Sequence, residues 1–187
     1  GFPNSLCISM NAQVVHGIPN KDVLKEGDVC SVDCGVLKNG FFVDAALTVA
    51  VGNISDEKKK LMDVTERSLQ LGIEQAVAGN KVHDISSAVQ VYVEANGFSI
   101  VRDLCGHGVG KFLHEDPSIP NFGRKGTGPK LKNGMTIAIE PMVNAGKYDV
   151  ITANDGWTIL TADGSTSAHF EHTILINNNS PEILTIC

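Results

Sequence analysis

The sequence predicts an α+β fold, and three observations carry that reading. An Asn39-Gly40 dipeptide sits between two alternating strand patterns. Two helical patterns then follow each other between residues 55 and 97. Strand patterns return from residue 98 onward. Strands and helices that are segregated, rather than strictly alternating, mark the α+β class.

Residues 5–17 alternate and carry β-branched side chains, which predicts a strand, closed by a turn at Pro19-Asn20. Residues 28–51 predict a hairpin, because Asn-Gly between alternating runs is the strongest short-range hairpin signal. Ser55 opens a helix, and Asp56 and Glu57 in its first turn suit the helix dipole. Leu61, Val64, Leu69, Ile73, Ala76 and Val77 give that helix an apolar face. A second helix is predicted from near Asp84, with Ile85, Ala88, Val89, Tyr92 and Ala95 at helical spacing and Gly97 placed to end it. Residues 98–105 read as strand. Residues 106–134, rich in Gly and Pro, read as an ordered loop. MTIAIEPM (135–142) reads as a strand ending at a proline, and 157–162 with 168–176 read as a closing antiparallel pair.

Composition excludes several function classes. The chain has 187 residues, 15 Lys plus Arg and 21 Asp plus Glu, for a net charge of −6. A dedicated nucleic-acid binder would carry a basic stripe instead. With 42% hydrophobic and 19% charged residues the chain is not disordered. A chain of this length buries roughly 70% of its unfolded surface, so it needs no covalent staple. No apolar run approaches the roughly 18 residues of a membrane helix. Five irregularly spaced cysteines (Cys7, Cys30, Cys34, Cys105, Cys187) do not read as a disulfide framework and point to a reducing, cytoplasmic setting.

Four acids interrupt hydrophobic strand patterns: Asp33, Asp44, Glu140 and Glu171. A buried carboxylate is costly unless it is paired or binds metal. With a two-residue loop at Asn39-Gly40, Lys38 faces Phe41 and Asp44 faces Gly35. Asp33 then shares a face with Asp44, as a diagonal neighbour roughly 7–8 Å away. The hairpin alone leaves two readings open: a shared cation, or two acids in water. Six histidines bear on the choice. His107 lies in Cys105-Gly-His-Gly-Val-Gly, where glycines let backbone fold close around a side chain. His114 follows seven residues later. His83 precedes a helix and reads as a surface or capping residue. His169 shares the Glu171 face and His172 the opposite one.

Carboxylate-dominated sites with an imidazole suit Mn, Fe, Co or Zn better than Cu. Bridging carboxylates imply two metals roughly 3.5–4 Å apart that activate water for hydrolysis. A His-Glu-x-x-His motif is absent: after His114-Glu115 the second position is Ser118. The glycines at 106, 108 and 110 are not a phosphate loop, since no Lys-Ser/Thr follows.

The set Asn11…His16-Gly-Ile-Pro, Val32-Asp33, Asp44, Cys105-Gly-His107-Gly-Val-Gly with His114-Glu-Asp-Pro, Ile139-Glu140-Pro-Met-Val-Asn and Phe170-Glu171-His-Thr resembles the type I methionine aminopeptidases. The likeness runs from residue 1 to about residue 185, in order and in register. It implies the pita-bread (creatinase/aminopeptidase) fold: α+β, with pseudo-twofold halves around a curved antiparallel sheet. It implies removal of the initiator methionine from nascent polypeptide N-termini, with a hydroxide shared by two metals attacking the first peptide carbonyl. Met142 and the Glu171-His172-Thr173 run favour this family over the related prolidase and aminopeptidase P. The lack of a long insertion between His114 and Glu140 favours type I.

By resemblance, Asp33 chelates one divalent ion, His107 and Glu140 the other, and Asp44 and Glu171 bridge both; Co, Mn, Fe and Zn are the candidates. Glu140 carries a proton, His114 stabilises the oxyanion, and His16 contacts the substrate amide nitrogen or the residue after the methionine. Phe2, Cys7, Leu113 and Trp157 match methionine-pocket positions. Phe2 stands where Tyr is common, and Leu113 where an aromatic is common. Asn11 and Ser167 match positions near a monovalent cation, Na or K. The resemblance further implies a cytoplasmic monomer working near the ribosome, with no membrane or direct nucleic-acid contact. Such families carry several dozen residues before the Gly-Phe/Tyr-Pro turn, so residues 1–187 are expected to form a single catalytic domain lacking that segment. The competing readings are an Xaa-Pro peptidase on the same scaffold and an inactive fragment or binding scaffold.

Overall fold

In the computed structural model, which describes residues 1–186, strands and two helices segregate as an α+β fold. Cys187, one of the five cysteines, lies outside those residues. The hairpin is β3 (Val29–Lys38) and β4 (Phe41–Ala50), paired antiparallel with Lys38 opposite Phe41 and Gly35 opposite Asp44. Asn39 and Gly40 both take positive φ, 53° and 82°, as the tight primed turn requires. β1 (Cys7–Met10) flanks β3 on its other side and sets Cys7 opposite Asp33.

The single strand predicted over 5–17 is two strands. Asn11 at φ 51° turns the chain between β1 and β2 (Gln13–Val15), and the Gln13 side chain accepts the Met10 N–H at 2.8 Å. The turn lets β2 leave the hairpin sheet.

α1 (Asp56–Glu74) starts where predicted, with the Ser55 hydroxyl accepting the Lys58 N–H. Its buried face adds Thr65 and Ser68 to the apolar residues; their hydroxyls donate to helix carbonyls and so enter the core satisfied. α2 (Val82–Ala95) starts two residues before Asp84, whose carboxylate accepts the Lys81 N–H at 2.8 Å and caps the first turn. Gly97, at φ 86°, follows its end. The helices meet at Gly72: a Cβ there would sit 2.9 Å from Val89 Cγ2.

Both helices pack on the remaining strands. One sheet runs in the order β14 (Glu182–Ile183), β13 (His172–Leu175), β8 (Thr136–Ile139), β6 (Gly106–Gly108), β7 (Glu115–Ile119). A second holds β9 (Met142–Asn144) between β12 (Ser167–His169) and β5 (Ser99–Ile100), and a third runs β10 (Val150–Thr152), β11 (Ile159–Thr161), β2. Leu69, Ile73, Ile85, Ile137, Ile139 and Ile174 form one core cluster under these layers.

Further sequence-based expectations need correction. α1 ends at Glu74, so Ala76 and Val77 lie beyond the helix they were expected to face from. The strand over 98–105 is only Ser99–Ile100. The loop over 106–134 contains β6 and β7. The stretch 157–162 contributes β11, which pairs with β10 and β2 rather than with 168–176. The strands over 135–142 and 168–176 each break once, at Glu140-Pro141 and at Phe170-Glu171, and hand the chain from one sheet to another. Pro141 has no N–H for a ladder, which explains the first break. Each break carries one of the strand acids.

Candidate metal centre

Asp33 from β3, Asp44 from β4, His107 from β6, and Glu140 and Glu171 from the two breaks line one cavity of about 140 Å3, together with His16 and His114. Seven side chains singled out in the sequence therefore converge. Ligand atoms of Asp44, His107 and Glu171 lie within 4.8 Å of one another, and so do those of Glu140, His169 and Glu171.

Local structure explains the convergence. At Gly106 and Gly108 a Cβ would collide with the backbone carbonyl oxygens of Ala138 and Asp116. Only glycine lets the strand run this close to its neighbours with His107 between them. His107 Nδ1 lies 2.9 Å from the Gly108 carbonyl oxygen. That acceptor puts the proton on Nδ1 and leaves Nε2 as a lone-pair donor, 3.5 Å from Glu140 Oε1. The Asn121 amide donates to the Glu140 carbonyl at 3.0 Å.

β4 and the segment leading into β13 meet at Ala46 and Glu171, which exchange backbone hydrogen bonds of 3.3 and 2.8 Å. On either side, threonine hydroxyls replace the ladder. Thr173 bonds both the N–H and the carbonyl of Asp44; Thr48 does the same to His169.

The electrostatics are those of a site built for cations. Burial pushes the Glu140 carboxyl up to about 8 and the Glu171 carboxyl well above the usual range, with neighbouring carboxylates adding to both. Burial raises Asp33 to about 6, with Asp44 and Glu140 adding to it. Burial, then the charges of Asp33, Asp44 and Glu171, lift the Cys7 thiol to about 12. Burial holds His16 and His169 below the ordinary imidazole value. Among the described residues lining the cavity there is no Lys or Arg to compensate. Glu171 Oε1 and His169 Nε2 are buried without a hydrogen-bond partner. Hard carboxylate oxygens, one of them the orphaned Glu171 Oε1, with an oriented imidazole fit divalent first-row ions.

The other predicted residues fall around this centre. Phe2 and Trp157 meet edge to face, with centroids 5.4 Å apart, and neither lines the acidic cavity. Cys7 faces Asp33 across β1 and β3. A Leu113 methyl packs against Gly35, 3.4 Å from where a Cβ would stand. His114 is exposed, its ring 4.4 Å from that of His107. The Asn11 carbonyl accepts the Ser167 N–H at 2.8 Å, and the Lys58 ammonium lies 3.3 Å from the Asn11 amide oxygen. His83 is half-buried, bonded to Thr127. The four described cysteines are free thiols. Sequence reading assigned His169 no role; its one signal was that it shared the Glu171 face.

The model of metallopeptidase family M24 matches residues 1–178. The chain belongs to metallopeptidase family M24. Within that family it is 60% identical over 186 residues to a methionine aminopeptidase of Clostridium perfringens, covering 100% of this chain and 75% of that protein. It superposes on a methionine aminopeptidase structure from Thermotoga maritima with a TM-score of 0.95 at 51% identity, over 96% of this chain and 73% of that one. A prolidase from Pyrococcus furiosus superposes with a TM-score of 0.76 at 23% identity, over 98% of this chain and 49% of that one. That second likeness shows the fold alone. The fold of this M24 chain is the pita-bread fold expected from its motifs.

Proposed function

We propose that the cavity is the catalytic centre of a methionine aminopeptidase, a hydrolase that removes the N-terminal methionine from peptides and nascent proteins. One observation carries this reading: four carboxylates, Asp44 and Glu171 buried and Asp33 and Glu140 half-buried, converge with an oriented imidazole, with no Lys or Arg among the described lining residues. The identity to methionine aminopeptidases across the whole chain favours this substrate over Xaa-Pro peptides. The intact convergence of all five ligand-class residues speaks against a binding scaffold.

Asp33, Asp44, His107, Glu140 and Glu171 would hold two divalent ions. Bound there, the ions supply a nucleophile at neutral pH and polarise the scissile carbonyl. Glu140, at the cavity wall, takes up and returns the proton. His114 stands exposed at the cavity and donates to the oxygen of the first peptide carbonyl, where negative charge develops. His16 meets the substrate amide. The edge-to-face pair of Phe2 and Trp157, with Cys7 and Leu113, forms the methionine side-chain site. A flexible thioether suits such a mixed aromatic and sulfur surface. The setting this reading implies is a cytoplasmic monomer acting on chains as they leave the ribosome; free thiols at Cys7, Cys30, Cys34 and Cys105 suit it.

The test compares a Met-Ala-Ser peptide with a Xaa-Pro dipeptide on protein loaded with Mn or Co. Methionine release from the first alone supports the reading. Bound metal without methionine release sinks it.

A further inference from the structure

One buried imidazole beside the centre has no part in this assignment. His169 ends β12 and is 1% exposed. Its backbone is fixed on both sides by Thr48, whose hydroxyl accepts its N–H at 2.9 Å and donates to its carbonyl at 2.7 Å. Its Nε2 has no hydrogen-bond partner, and lies 3.6 Å from Glu140 Oε2. The other Glu140 oxygen, Oε1, faces His107 Nε2 at 3.5 Å. Each oxygen of this carboxylate thus faces its own imidazole. His107 lines the cavity and His169 does not.

We propose that His169 is the positioning residue of Glu140: its Nε2–H donates to Oε2 and holds Oε1 toward the cavity. The inference rests on Glu140 being part of the metal centre. A buried N–H requires an acceptor, and Oε2 is the one within reach; a shift of about 0.5 Å completes the bond. Carboxylates that bind metal are themselves held by hydrogen bonds, because a free one swings. The strand pairing shows why the residue stands there. Around the Ala46 and Glu171 bridge, Asp44 and His169 occupy matching places, each two residues before the bridge and each clamped by a threonine of the opposite segment. One matching place sends an acid into the cavity. The other sets an imidazole behind Glu140.

The experiment uses the full chain as wild type, H169Q and H169M, titrated calorimetrically with Mn(II) alone and then assayed on Met-Ala-Ser peptide. H169M removes the donor at similar bulk. It weakens Mn(II) binding and lowers kcat by about 10–100-fold, with KM little changed. Glutamine offers an amide N–H at similar reach, so H169Q recovers both to within about threefold, as a lost donor rather than a lost ligand predicts. H169M with wild-type affinity and kcat overturns the proposal, and so does H169Q as impaired as H169M. X-ray absorption of Co-loaded wild type needs no variant. One imidazole for the metal pair supports the positioning role, whereas two make His169 a ligand and overturn it. Wild type that binds no Mn(II) sinks the reading of the centre itself, a different outcome from losing the contrast between H169Q and H169M.

Discussion

The Thr173 hydroxyl grips the Asp44 peptide from both sides, accepting its N–H at 2.8 Å and donating to its carbonyl at 2.8 Å. Asp44 and Thr173 are both buried, on β4 and β13, strands of two different sheets. One side chain therefore does the work of a ladder rung next to the backbone bridge between Ala46 and Glu171.

Thr173→Val keeps the shape and removes both bonds. Two buried backbone groups are left unpaired, at about 1–3 kcal/mol each, so a loss of about 2–6 kcal/mol is expected. Thr173→Ser keeps the hydroxyl and loses much less. Urea unfolding of the metal-free protein measures both. Equal midpoints for the valine and serine variants would show that the clamp contributes nothing.

Ligand removal separates the centre from its helpers. His107→Ala and Glu171→Ala are expected to lose bound metal and methionine release together. His114→Ala is expected to keep its metal and lose about 10²–10³ in kcat, the cost of one oxyanion donor. Elemental analysis beside the peptide assay reads both quantities. Metal loss in H114A would contradict its placement at the substrate rather than at the ions.

How much of this was legible in the sequence depends on how local each cause is. The opposition of Asp44 and Gly35 follows from a two-residue turn, so Asn39-Gly40 sufficed to set the register. The breaks at Glu140-Pro141 and Phe170-Glu171 are of another kind. Which sheet a segment joins is decided by distant partners: β12 takes β9, and β13 takes β8. An apolar run such as 168–176 reads as one strand without them. β6 and β7 hid inside a Gly and Pro tract because their glycines serve close approach to Ala138 and Asp116. The acids were legible because charge in a hydrophobic strand needs a cause. His169 was not, since its facing of Glu140 depends on two breaks and on Thr48, over a hundred residues away in the chain.

Acid stability should reveal Asp163. Its carboxylate accepts the N–H groups of Lys147 at 2.7 Å and Ser165 at 3.0 Å, which hold it at about 2, below the ordinary 3.8. A lowered folded value means that the stabilisation is complete above 3.8 and fades as pH falls to about 2. Asp163→Ala should therefore melt below wild type at pH 7, and the gap should narrow through that acid window. Thermal midpoints of the metal-free proteins across the series measure it. A gap that stays constant down to the lowest pH would remove the charge from the explanation.

Two glycine-to-alanine changes should differ in kind. At Gly72 the added methyl meets Val89 Cγ2 at 2.9 Å, so a buried, β-branched side chain must give way, but no backbone atom stands in its path. Helix propensity returns up to about 1 kcal/mol, against an overpacking cost of about 1–3 kcal/mol. The net loss is up to about 2 kcal/mol, but the contact lies between α1 and α2, so methionine release is expected to persist. At Gly17 the methyl would run into the Ile8 backbone carbonyl, which cannot yield without moving β1. Gly17 follows His16, held at φ 58°, and its carbonyl accepts the Ile8 N–H at 2.9 Å. Any displacement there moves His16 at the cavity. Gly17→Ala is thus expected to cost more stability than Gly72→Ala and to slow the reaction as well. Thermal midpoints and kcat on the metal-loaded variants decide it, and the opposite order in either quantity would refute the contact geometry.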